Sequence, residues 1–224
     1  MRRKLFYALA APLAAVGVAV VISSIVLLFA GANPLDAYQN MWEFGTRLET
    51  LIATLNRATP LYLSGVAVAI GFRMNLFNIG VEGQYILAAI VAAKVGAEIN
   101  LPPVLHVTVI IATAMAVGAF WAGIAGYLKV TRNVHEVIST IMLNAIAVSG
   151  VVSYLLGVWD VPDESLDTAL PAIPESGWMP PLNNIVELFT QEIKRVELWG
   201  FLLVAVAVGV LYHFLINRTR IGFY

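Results

Sequence analysis

No charged residue falls between Lys4 and Asp36, and the run from Leu5 to Ala30 within that stretch is almost wholly apolar. A membrane-spanning helix needs about 20 mostly apolar residues. The run is also longer than the core of about 7–15 residues in a secretory signal, although Arg2, Arg3 and Lys4 precede it like one. It therefore reads as a retained span. Five further stretches follow the same pattern: Leu61 to Phe72 (short), Leu76 to Val95, Val104 to Leu128, Val137 to Trp159 and Leu198 to Ile216. They are long and do not alternate, which disfavours strands. The fold class that follows is an all-α integral membrane protein of about six transmembrane helices, with a short, broken second span and one membrane domain over residues 1–224.

Composition agrees. Apolar residues make up 60% of the 224 and charged residues 12%, about half the usual share. The net charge of −1 excludes a basic nucleic-acid binder, and the absence of cysteine excludes disulfides and thiolate chemistry. Arg2, Arg3, Lys4, Arg73, Lys129, Arg132, Arg218 and Arg220 all fall on one side if the N-terminus is cytoplasmic, as cations near span ends require. The long segments 31–59 and 160–197 are then external. They hold most of the acids, including Asp160, Asp163, Glu164, Asp167 and Glu192. An interfacial helix is expected at Ala37 to Leu55 and a short amphipathic one within Leu182 to Val196. Trp159, Trp178 and Trp199 suit the membrane boundary.

The polar residues inside this apolar background carry the functional information. One cluster runs from Gly71 to Gln84. Asn78 and Glu82 are four apart, the spacing of one helix face, and Gly80 and Gly83 weaken a helix there. A glycine-interrupted apolar segment beside polar side chains is the pattern of a broken transporter helix. A second cluster runs from Lys129 to Asn144, in which Glu136, Thr140 and Asn144 form a stripe at spacing four. Such a stripe serves either helix–helix hydrogen bonding or a polar pathway. The pathway-lining candidates are Asn75, Phe77, Asn78, Glu82, Gln84, Thr140 and Asn144. Small residues recur every fourth position in two series, Ala88, Ala92, Gly96 and Gly118, Ala122, Gly126, which predicts close helix packing. His106, His135 and His213 have no metal-ligand spacing, and no phosphate-binding loop or nucleophile motif is present, so neither a metal site nor an enzyme is expected.

The run Phe77-Asn78-Ile79-Gly80-Val81-Glu82-Gly83-Gln84, with Asn56 to Leu61 before it, resembles the permease subunits of bacterial ABC importers for nucleosides and simple sugars. This is the broad group that includes ribose and branched-chain amino-acid permeases. Asn133 to Asn144 matches a second hallmark of that family, and Thr219 to Tyr224 is similar to its continuation. The resemblance implies a multi-pass protein of the bacterial inner membrane that pairs with a second permease subunit. ATP and Mg would sit on separate cytoplasmic ATPase subunits, with no cofactor on this chain. An extracytoplasmic solute-binding protein would deliver the solute. Family members continue with further spans and an ATPase-docking segment soon after Thr219 to Tyr224, so the chain is expected to be truncated at its C-terminus. The competing readings are an ion-coupled secondary transporter, for which Glu82, near the membrane boundary, is the sole candidate acid, and a non-transporting membrane fragment or scaffold.

Overall fold

The computed structural model describes residues 2–159, 170–187 and 196–218. The acids Asp160, Asp163, Glu164, Asp167 and Glu192, and the end from Thr219 to Tyr224 with Arg220, lie outside the described residues. All regular structure among the described residues is helical: α1 (Arg2–Phe29), α2 (Pro34–Thr46), α3 (Leu48–Arg73), α4 (Val81–Glu98), α5 (Pro103–Arg132), α6 (Glu136–Ala145), α7 (Ser153–Trp159), α8 (Asn183–Glu187) and α9 (Phe201–Arg218). Four helical segments are long and apolar enough to cross a membrane: Ala10–Phe29, Pro103–Arg132, Glu136–Trp159 and Phe201–Arg218. These correspond to the first, fourth, fifth and sixth expected spans.

The chain divides into two compact units, Met1–Thr54 and Leu55–Tyr224. In the first, Gly31 takes a positive φ of 76° and releases the chain from α1. Asn33 then caps α2, its side chain accepting from the Leu35 N–H at 3.0 Å, with Pro34 in the first helical turn. The Tyr38 hydroxyl donates to the Val20 carbonyl at 3.0 Å and lies 2.9 Å from Ser24 Oγ, so α2 folds back beside α1. Leu35, Met41, Trp42 and Phe44 stay exposed. The helix expected over Ala37 to Leu55 is in fact two, because Arg47 adopts an extended conformation between α2 and α3.

The second and third expected spans need correction. The second is not broken: α3 is one helix of 26 residues that runs through Pro60 to Arg73. Only its apolar part is short. The third starts at Val81 rather than Leu76, since residues 74–80 form the connection. At 18 residues, and carrying Glu82, Lys94 and Glu98, α4 is a poor span by itself. It packs against α5 instead, burying Leu87, Ala88, Ala92 and Gly96. A methyl group added at Gly96 would stand 2.8 Å from Ile110, which is the close packing expected of the first small-residue series.

The fifth span is not a uniform α-helix. Between α6 and α7 the stretch Ile146–Val152 widens into a π-helix, and the Ser153 hydroxyl bonds to the carbonyl of Val148, five residues back, at 3.4 Å. The last span starts at Phe201 because its predecessors are held elsewhere. Trp199 N–H donates to Asn56 Oδ1 at 3.0 Å, and Leu198 N–H to Asn183 Oδ1 at 2.9 Å. Of the amphipathic helix expected within Leu182 to Val196, the described part is α8.

Candidate functional site

The first residues of any α-helix present N–H groups with no partner inside the helix. At the start of α4 the N-cap is Gly80, which has no side chain to accept from them. Side chains from outside the helix bond instead to Gly83 in its first turn and to the two residues that precede it. Gly80 N–H donates to Asn78 Oδ1 at 2.9 Å, Ile79 N–H donates to Thr140 Oγ1 at 3.3 Å, and Gly83 N–H donates to Asn144 Oδ1. Thr140 and Asn144 come from one face of α6, so the polar stripe of that helix closes the end of another. Thr140 is buried and passes its own proton to the Glu136 carbonyl at 2.8 Å. Asn144 Nδ2 donates to Glu82 Oε2 at 3.2 Å. Asn78 and Gln84 exchange amide hydrogen bonds, each at 3.2 Å.

Gly83 is required by this contact. A methyl group there would lie 2.7 Å from Asn144 Oδ1 and 2.9 Å from Ala147 Cβ, closer than carbon can approach. The helix start at Val81 also revises the spacing argument. Asn78 and Glu82 do not share a helix face, because Asn78 precedes α4 and holds the Gly80 N–H in the turn that leads into it.

Five of the seven selected residues, Asn78, Glu82, Gln84, Thr140 and Asn144, therefore meet at one junction. Phe77 stands beside it, half-exposed, its ring 4.9 Å from that of Phe72. Asn75 does not join: it is exposed and ends the turn after α3 in a left-handed conformation, φ 53°, which asparagine tolerates. Next to the junction lies a cavity of about 210 Å³ between α3, α5 and α6. Asn78, Thr140, Lys129 and Glu136 form its polar side, and Phe77, Ala122, Ala125 and Gly126 are among its apolar walls. The second small-residue series thus splits. Gly118 faces Ala88 across the α4–α5 contact, while Ala122 and Gly126 border open volume. Lys129 Nζ and Glu136 Oε1 pair at 2.9 Å. Among the described residues no group of three or more His, Asp or Glu could hold a metal ion.

Residues 50–224 match the family described as the permease component of the branched-chain amino acid transport system. The chain belongs to this permease family. It is 32% identical over 219 residues to the glucose ABC transporter permease protein TsgB13 of Haloferax volcanii and 34% identical over 216 residues to the guanosine ABC transporter permease protein NupP of Bacillus subtilis. Each match covers 95% of this chain but only 56% and 59%, respectively, of the relative. A nucleoside ABC transporter permease protein, NupB of Lactococcus lactis, is 31% identical over 137 residues, 60% of this chain and 38% of its own. No solved structure is significantly similar to the chain. The family match contains the whole junction.

Two further polar residues of this permease-family chain carry structure that the motifs did not reveal. Asn56 is buried and clasps the backbone ahead of α9, donating to the Glu197 carbonyl at 2.8 Å while accepting from Trp199 N–H. His106 is wholly buried, with Nε2 at 2.9 Å from the Gly96 carbonyl and Nδ1 at 2.8 Å from Ser176 Oγ. A carbonyl only accepts, so Nε2 carries the proton and Nδ1 accepts from the serine. Both ring nitrogens are committed, which removes His106 from the possible metal ligands. Asn56 lay inside a quoted motif and could have been singled out as a polar residue in an apolar helix. The partners of His106 lie 10 and 70 residues away, and no local spacing points to them.

Proposed function

We propose that this chain forms, with a second permease subunit, the membrane passage of an ATP-driven importer for nucleosides or simple sugars. The observation that carries this reading is identity above 30% across 95% of the chain to ABC permeases named for glucose and for guanosine. Cytoplasmic ATPase subunits would supply the energy and an extracytoplasmic solute-binding protein the cargo. In the corresponding topology the N-terminus is cytoplasmic, α3 and α4 cross as shorter passages supported by α5, and the segment around residues 160–197 faces the binding protein. Asn78, Glu82, Gln84, Thr140, Asn144 and Phe77 would border the pathway, with Asn75 at its mouth. Amides, a hydroxyl and an aromatic ring suit a neutral, hydroxyl-bearing or planar solute.

The test is ATP-dependent uptake by vesicles holding this chain with its ATPase, partner permease and binding protein. Accumulation of guanosine or glucose only when ATP is present is expected, and accumulation driven by an ion gradient without ATP overturns the proposal. Because the chain has no cysteine, Thr131→Cys gives a single thiol for topology. Labelling by an impermeant maleimide from the cytoplasmic side is expected, and labelling from outside reverses the orientation.

A further inference from the structure

We propose that α2 docks on the membrane surface, with Leu35, Met41 and Trp42 seated among the acyl chains of the leaflet that α1 reaches at Phe29, the outer leaflet in the proposed topology. The inference needs α1 to be a span and does not need the transport reading. Most of the unit that holds α1 and α2, Met1–Thr54, precedes the family match, which begins at residue 50. Leu35, Tyr38, Met41 and Trp42 recur at spacings of three and four and share one face of α2. Asp36, Gln39, Asn40 and Glu43 recur in the same way on the opposite face, where the Gln39 amide donates to Glu43 Oε1 at 2.8 Å. On the apolar face Leu35 is 76% exposed, Met41 69% and Trp42 74%, so none of the described residues covers it.

Tyr38 identifies what does. Its hydroxyl donates to the Val20 carbonyl at 3.0 Å and lies 2.9 Å from Ser24 Oγ. Val20 lies about 14 Å of helix rise below Phe29, the last residue of α1. Tyr38 therefore reaches from α2 back toward the membrane interior, and the face it shares with Leu35, Met41 and Trp42 points the same way. Asp36 and Glu43, on the opposite face, then point to water, as carboxylates must. At 13 residues α2 is too short to cross a bilayer. A short helix with segregated faces, its apolar side turned inward, lies in the interface. The helix it is tied to is exposed along its apolar length, including Ile25, Val26 and Leu28, so lipid already surrounds α1 where Tyr38 rests on it. Arg47 follows α2 with its guanidinium 4.1 Å from the centre of the Phe44 ring, and its charge matches the lipid phosphates at that depth.

The chain has no cysteine, so a spin label can be placed at one position at a time in the full chain, in vesicles of phosphatidylcholine and phosphatidylglycerol. Met41→Cys and Trp42→Cys report the apolar face, Asn40→Cys and Glu43→Cys the polar one. Collision of the label with molecular oxygen, which concentrates in hydrocarbon, is compared with collision with a water-soluble nickel chelate. The oxygen-to-nickel ratio is expected to be higher by roughly fivefold or more at the first two positions than at the second two. Little collision with either probe at the first two positions shows a face covered by protein, from a second copy or another segment, and overturns the proposal. A ratio that favours nickel at all four positions puts α2 in water and overturns it too. So does one common ratio at all four, the signature of a segment that has lost its helix. None of these readouts involves uptake, so a failure here leaves the transport proposal standing.

Discussion

The two ends of α4 solve the same problem with opposite chemistry. Its first turn has spare N–H groups, and α6 supplies an oxygen, Asn144 Oδ1 to Gly83 N–H, while Thr140 and Asn78 hold the N–H groups of the two residues just before it. Its last turn has spare carbonyls, and α5 supplies a proton: His106 Nε2–H to Gly96 O. The difference lies in what surrounds them. At the C-terminal end His106 is wholly buried, and a methyl group on Gly177 would stand 3.1 Å from its ring and 2.5 Å from Ile173. At the N-terminal end a cavity of about 210 Å³ adjoins the junction, with an ion pair at its rim. One end is filled and holds structure. The other is tied by side chains from α6 yet adjoins open volume.

The largest expected effect tests how tightly the open end is nevertheless built. Gly83→Val places two methyls where Asn144 and Ala147 stand, and overpacking of this kind costs about 3 kcal/mol. Thermal unfolding in detergent should show the drop, with Gly83→Ala intermediate. A stable Gly83→Val would mean that α4 and α6 separate freely, and the junction would lose its meaning. His106→Leu comes next. It leaves the Gly96 carbonyl and the Ser176 hydroxyl without their partner at a buried site, a loss of about 2 kcal/mol. Under the proposed topology that end faces the binding protein. The variant should therefore weaken capture of loaded binding protein while leaving the maximal uptake rate unchanged.

Asn144→Ala is expected to cost about 1–2 kcal/mol through the unpaired Gly83 N–H and, unlike His106→Leu, to lower the maximal rate. Asn144 and Glu82 lie 62 residues apart, and the sequence placed both in its hallmark clusters because each is a polar residue where only apolar ones belong. The junction was legible for that reason. Helix content and four of the spans were legible from apolar length. The unbroken course of α3 was not, since its first half carries Glu49, Asn56 and Arg57 and offers no apolar run to read. Nor was the π-helical stretch Ile146–Val152, which has no periodicity of its own to read. His106 stayed hidden because its role depends on which helix ends meet, and spacing within one helix is silent on that.

The smallest effect gives the sharpest comparison. Thr140→Val keeps the shape of a buried side chain and removes one hydroxyl, so Ile79 N–H loses a long bond of 3.3 Å and stability falls by about 1 kcal/mol. Ser176→Ala removes the hydroxyl at the other end, 2.8 Å from His106, and should cost a similar amount. Equal stability loss makes the pair a controlled comparison of uptake. Thr140 borders the cavity, so Thr140→Val should reduce the maximal rate and Thr140→Ser should recover it. Ser176→Ala should leave that rate alone. If both lower it equally, then what matters at either end of α4 is rigidity alone, and the open end has no claim to the passage.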